Sequence, residues 1–137
     1  MDKNIILVFI LLFLFLKNNT TEHFINVRIA KTRKERDQGL MYVKEPLAKN
    51  EGMMFLMPYR SIHSFWMKNT YIPLDIIFID KTMDKKNFKI VGFNKNRKPL
   101  SLKLKSIDKP SDYVLEMNGG WLDKNKLKKG DVIQINI

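Results

Sequence analysis

Between Phe65 and Asp80 the chain reads FWMKNTYIPLDIIFID, a block that gathers side chains able to stack, donate, accept and carry charge. At strand spacing Phe65 and Met67 share one face while Trp66 and Lys68 share the other, which sets an indole beside an ammonium. Asn69 and Thr70 read as a turn, and Asp75 stands at the entry to the apolar strand Ile76–Ile79. Two readings follow. In the first, Asn69 and Asp75 bond backbone N–H groups of the turn and Trp66 is a packing residue. In the second, Trp66, Lys68, Asn69 and Asp75, joined by Glu116, line a shallow site for a small polar ligand such as a sugar, held by ring stacking and a few hydrogen bonds.

The two acids suggest a further chemistry. Asp75 and Glu116 both belong to strands, and a pair of carboxyl groups flanking a bond is what glycoside hydrolysis requires. Such a pair also needs one pKa raised by burial and a cleft long enough for a glycan, which a small domain has little room to provide. Metal binding is the third possibility. Met53, Met54, Met57, His63, Trp66 and Met67 fall within fifteen residues. Thioether and imidazole ligands suit Cu(I), so Met54, Met57, His63 and Met67 form a candidate set. Methionine at strand spacing also fills gaps in a core, and the second histidine, His23, lies outside the folded pattern. No cofactor is expected.

Other chemistries are excluded by residue type. With no Cys there is no disulfide, thiol nucleophile or Cys-ligated zinc. Neither a Gly-x-Ser-x-Gly elbow nor a glycine-rich phosphate loop or dinucleotide fingerprint occurs. The 25 Lys and Arg against 14 Asp and Glu give +11, of which +3 falls in residues 1–80 and +8 in residues 81–137. A basic half raises the prospect of a polyanion or anionic lipid. Twenty of those cations are Lys, the weaker choice for bidentate phosphate or base contacts, so nucleic acid is not the expected partner.

The elements that would position these residues begin after a hydrophobic leader. Ile5–Leu16 is an unbroken apolar run, IILVFILLFLFL. As a helix it covers about 18 Å, whereas a membrane span needs about 20 residues. Residues 1–22 are therefore expected to be a signal peptide or an N-terminal membrane anchor, the latter uncleaved as a transmembrane helix, since no small-x-small cleavage site follows. Five cations between Arg28 and Arg36 would favour a cytoplasmic domain by the positive-inside rule. The short N-terminal flank argues the other way, and the expectation is an extracytoplasmic (periplasmic or secreted) or membrane-anchored domain.

Residues 23–137 read as one sheet-dominated α+β domain, a small barrel-like arrangement of antiparallel or mixed strands with one or two short helices. Period-two alternation marks strands at Ile25–Ile29, Leu100–Leu104, Tyr113–Met117 and Ile133–Ile137, and apolar runs add Gly52–Met57, Phe65–Lys68, Ile76–Asp80 and Phe88–Phe93. Lys81–Asn87 and Lys95–Pro99 read as connecting turns. Thr32 and Glu35 form a capping box for a helix that Gly39 can close in αL geometry. A second helix fits Asp123–Lys128, with Asp123 as cap and Gly130 beyond its end. Asp131 reads as a turn residue ahead of the last strand.

Several blocks then fall in a recognisable order: Gly39-Leu40-Met41, Gly52-Met53-Met54-Phe55, Phe65–Thr70, Ile72–Asp80 with Pro73, Val114-Leu115-Glu116, Gly119-Gly120 and Gly130-Asp131. Over residues 25–137 this closely resembles the prokaryotic family called domain of unknown function 192. The resemblance implies a small, mostly β domain of barrel-like form, often preceded by a signal peptide. It supplies no reaction. The chain departs from the family in the longer Lys81–Asn87 loop and in its lysine load. The resulting expectation is an exported or membrane-tethered accessory or binding domain, with membrane contact through residues 5–16 if the leader is retained. A carboxylate enzyme and a Cu(I) carrier are the alternatives, and oligomeric state is left open.

Overall fold

The computed structural model describes residues 1–18 and 24–137, the side chains of residues 15–18 excepted. Asn19–Thr21, where the leader would be cut, and His23 lie outside the described residues. Helix α1 (Lys3–Asn18) carries the apolar run, and its side chains from Ile5 to Leu14 are exposed. Sixteen residues of helix rise only about 24 Å, short of the ~30 Å hydrocarbon core. Among the described residues no helix is long and apolar enough to cross a membrane, so the expected transmembrane helix is not found there.

Six strands, β1 (Phe24–Ala30), β2 (Glu51–Ser61), β3 (Leu74–Lys81), β4 (Asn87–Arg97), β5 (Ser111–Asn118) and β6 (Val132–Asn136), close a barrel in the order β1-β2-β5-β3-β4-β6. Strand β1 runs parallel to both of its neighbours, β2 and β6, and the remaining pairs are antiparallel. The fold is the sheet-dominated barrel that the alternation implied.

Two apolar clusters hold it together. One draws on all six strands, with Ile25, Met54, Ile77, Ile79, Ile90, Leu115, Met117 and Ile133 filling the barrel. Trp121 and Leu122 of α3 (Trp121–Lys124) plug one end. The other lies on the outer face of β2, β5 and β3, where Phe55, Leu74, Ile76, Phe78 and Val114 are covered by Leu40, Met67 and Ile72 from the loops. Strand β3 is thus buried on both faces, which is why its sequence is a continuous apolar run instead of an alternation. Gly52 lets β2 lie against β5, because a Cβ there would meet the Met117 sulfur and sit 2.6 Å from the Glu116 carbonyl oxygen.

Several expectations need correction. Phe65–Lys68 is not a strand: only Phe65 pairs, in an isolated bridge with Lys105. Leu100–Leu104 is not one either, and all three leucines are exposed. Alternation there meets no sheet, because a closed barrel leaves no free edge to extend. Lys95–Arg97 continues β4 instead of turning. Helix α2 (Arg33–Gln38) does have the Thr32–Glu35 capping box, but Gly39 ends it at φ 48°, ψ −129°, outside the αL region. Helix α3 begins after Gly120 (φ 88°) and ends at Lys124, so Asp123 lies inside it and does not cap it. Gly130 (φ 90°) turns the chain into β6, where the Asp131 carboxylate accepts the Lys128 N–H at 2.9 Å.

Candidate functional site

The two acids do not meet. In the β3–β5 ladder Asp75 pairs with Met117 and Ile76 with Glu116. Paired residues share a face and successive residues alternate, so Asp75 points into the barrel and Glu116 out of it. This overturns the convergent carboxylate pair, and with it the placing of Asp75 and Glu116 in one pocket with Trp66.

Asp75 is fully buried and spent on backbone. One oxygen accepts the N–H of Asn96 at 2.9 Å and of Gly120 at 3.3 Å; the other accepts the N–H of Leu122 at 2.8 Å. It thereby ties β3 to the end of β4 and to the start of α3. Gly119 fits the same junction, donating to the Pro73 carbonyl at 2.9 Å, and a Cβ there would stand 3.1 Å from the Pro73 ring.

Glu116 lies on the outer face between Met53 of β2 and Ile76 of β3, 5% exposed. Among the described residues its carboxyl has no hydrogen-bond partner. Burial pushes its pKa up to about 8, against a smaller downward pull from the Arg97 guanidinium. Arg97, 3% exposed, donates to the Phe65 carbonyl at 3.1 Å and to the Lys103 carbonyl at 2.8 Å. Desolvation lowers its pKa, though a guanidinium remains charged. Nothing in the sequence distinguished Arg97 from the surrounding surface lysines.

The methionine and histidine set is divided in the same way. Met54 is inside the barrel, Met67 is in the outer cluster, and Met53 and Met57 pack against that outer cluster. His63 uses both ring nitrogens, donating from Nε2 to the Ser111 carbonyl at 3.0 Å and accepting from Ser61 at Nδ1 at 3.3 Å. Burial lowers its pKa, partly offset by the Ser111 bond, which favours the neutral ring. The Cu(I) set is therefore corrected: its sulfur atoms sit on opposite faces of β2 or in core, and its imidazole is occupied.

Trp66, Lys68 and Asn69 do reach the surface. Trp66 is 42% exposed, and the Lys68 ammonium stands 5.0 Å from its ring centroid. Asn69, at φ 52°, does not bond its own turn. Its side chain donates to the Tyr42 hydroxyl at 3.1 Å and its carbonyl accepts the Tyr42 N–H at 2.8 Å. Tyr42 itself has φ 69° and a 61% exposed side chain. A bulky residue in the left-handed region is uncommon and persists only where neighbours impose it. The Asn69 clasp does so here. Tyr42 borders an open groove of about 670 Å³ lined also by Arg33, Lys34, Asp37, Gln38 and Met41. Tyr42 follows directly on the Gly39-Leu40-Met41 block, but no spacing in the sequence joined it to Asn69.

Comparison with known proteins agrees with this architecture. A crystal structure from Sinorhizobium meliloti 1021, provisionally described as a transcription regulator, matches with TM-score 0.70 and 33% identity over 79% of this chain and 80% of that one. A protein of unknown function from Novosphingobium aromaticivorans DSM 12444 matches with TM-score 0.68 and 36% identity, over 77% of this chain and 72% of that one. No curated protein matches. The model of the family described as Uncharacterized ACR, domain of unknown function 192, matches residues 14–135, and the chain belongs to that family.

Proposed function

We propose that this chain is an exported or membrane-anchored accessory domain that binds a small polar ligand in the groove between α2 and the Tyr42–Asn69 clasp. The observation that carries this reading is Tyr42, held in a left-handed backbone with its ring exposed by one bond accepted from the Asn69 side chain and one donated to the Asn69 carbonyl. A groove of about 670 Å³ is in the range of small-molecule sites. Its lining combines a ring to stack on with Arg33, Lys34, Asp37 and Gln38 as polar partners, which suits a saccharide or another hydroxylated ring bearing negative charge. Of the five candidates, Trp66, Lys68, Asp75 and Glu116 do not line this groove, and Asn69 remains as the residue that presents Tyr42. The apolar exposed α1 supports an address at or beyond a membrane, as a targeting or anchoring segment.

Calorimetric titration with neutral and acidic monosaccharides and peptidoglycan fragments tests the binding. Saturable binding weakened at least about tenfold (~1.4 kcal/mol) in both Tyr42→Ala and Asn69→Ala is the expected result. Binding indifferent to both substitutions would sink the groove, and glycan turnover abolished by Glu116→Gln would replace it with an enzyme. A reporter fused after Thr21 that is active only in the cytoplasm would overturn the address.

A further inference from the structure

A second surface is built by residues 62–71 and 98–105, of which only Asn69 reaches toward the groove at Tyr42. The two stretches run side by side: Met67 N–H donates to the Ser101 carbonyl at 2.8 Å, Leu100 N–H to the Thr70 carbonyl at 3.0 Å, and Phe65 bridges Lys105. Buried Arg97 fastens their root through the carbonyls of Phe65 and Lys103. From this rigid base the apolar side chains turn away from the core. Ile62, Trp66, Tyr71, Leu100, Leu102 and Leu104 are between 42% and 66% exposed. Leu100 is held at φ 65°, a costly backbone for a leucine that stays 53% exposed.

The charge pattern says what this surface meets. Lys68, Lys98, Lys103 and Lys105 are interleaved with those apolar side chains, and no acid intervenes from Arg97 to Ile107. Among the described residues none of the four ammoniums is in an ion pair. Lysine is depleted from the cores of protein–protein interfaces. Alternating leucine and lysine with a tryptophan is instead the composition that lies in a lipid headgroup layer, apolar groups dipping inward and ammoniums snorkelling to phosphate. We infer that the 98–105 loop, with Trp66 and Lys68, is a lipid-contact surface that seats the barrel on an anionic bilayer.

This inference is separable from the reading of α1 and from the groove, since it concerns how the barrel is oriented. The cysteine-free chain gives a local test. The full chain carrying Leu102→Cys is labelled with a polarity-sensitive fluorophore and mixed with phosphatidylcholine vesicles with or without phosphatidylglycerol. Met83→Cys, in the β3–β4 loop at the opposite end of β4 from residues 98–105, is the control. The expected result is a blue shift at position 102 with phosphatidylglycerol and none at position 83. Lys103→Gln with Lys105→Gln should raise the lipid needed by about tenfold or more. A label at 102 that stays aqueous while the chain sediments with vesicles overturns the proposal. A shift equal on neutral vesicles does so too, as does one that grows with protein concentration in the absence of lipid, which would mark self-association. Leu104→Cys repeats the reading if the first variant loses its thermal unfolding transition.

Discussion

Glu116 is a carboxyl group on the outer sheet face with a raised pKa and no hydrogen bond of its own, and this has a thermodynamic consequence. Unfolded, it ionises near its ordinary value of 4.5; folded, it keeps its proton to about 8. Between those limits the native state binds more protons than the unfolded one, so stability falls as pH rises. The contribution is full below 4.5 and gone above about 8. Chemical unfolding of the wild type and Glu116→Gln from pH 5 to pH 8 should differ by a wild-type decline on the order of a few kcal/mol that the variant lacks. Equal slopes would show that Glu116 is ionised in the folded protein. Residue identity alone did not reveal any of this. Asp75 and Glu116 looked alike as strand acids, and only the register, Asp75 with Met117 and Ile76 with Glu116, sends one inward and the other outward.

At the scale of elements, Asp75 acts as a junction: one carboxylate receives N–H groups from β4, from the Gly120 turn and from α3. Asp75→Ala leaves one buried donor, the Leu122 N–H, and two part-buried ones, those of Asn96 and Gly120, without an acceptor. The expected cost is on the order of 3–5 kcal/mol, read as a lower urea midpoint with an unchanged slope. An effect under about 1 kcal/mol would mean that water or another group takes the acceptor's place. The strands were legible wherever burial is one-sided or complete, as in Ile25–Ile29 and Ile76–Asp80, because period or apolar continuity reports the faces directly. Leu100–Leu104 has the same period and failed. Alternation records that every second residue is apolar, and it does not record whether a sheet edge is present to pair with. The Thr32–Glu35 cap was legible because it is local. The Tyr42–Asn69 clasp spans 27 residues, and no local pattern encodes such a contact.

For the molecule as a whole, the decisive pairing is β1 between two parallel neighbours, β2 and β6. The β1–β6 seam joins residues 110 apart, as in the Asn136 side-chain bond to Asn26 at 3.0 Å. Such distant pairing makes folding slow and late. A chain shortened to remove residues 132–137 should be digested by protease at a rate near that of the denatured protein, whereas the full chain resists. A shortened chain that resists equally would show that five strands suffice. During synthesis, then, the newborn polypeptide cannot shut its cylinder until residues 132–136 have left the ribosome. For a precursor sent across a membrane by the route proposed above, that delay is useful: the translocation channel receives a thread, and the finished shape is taken up only on the far side.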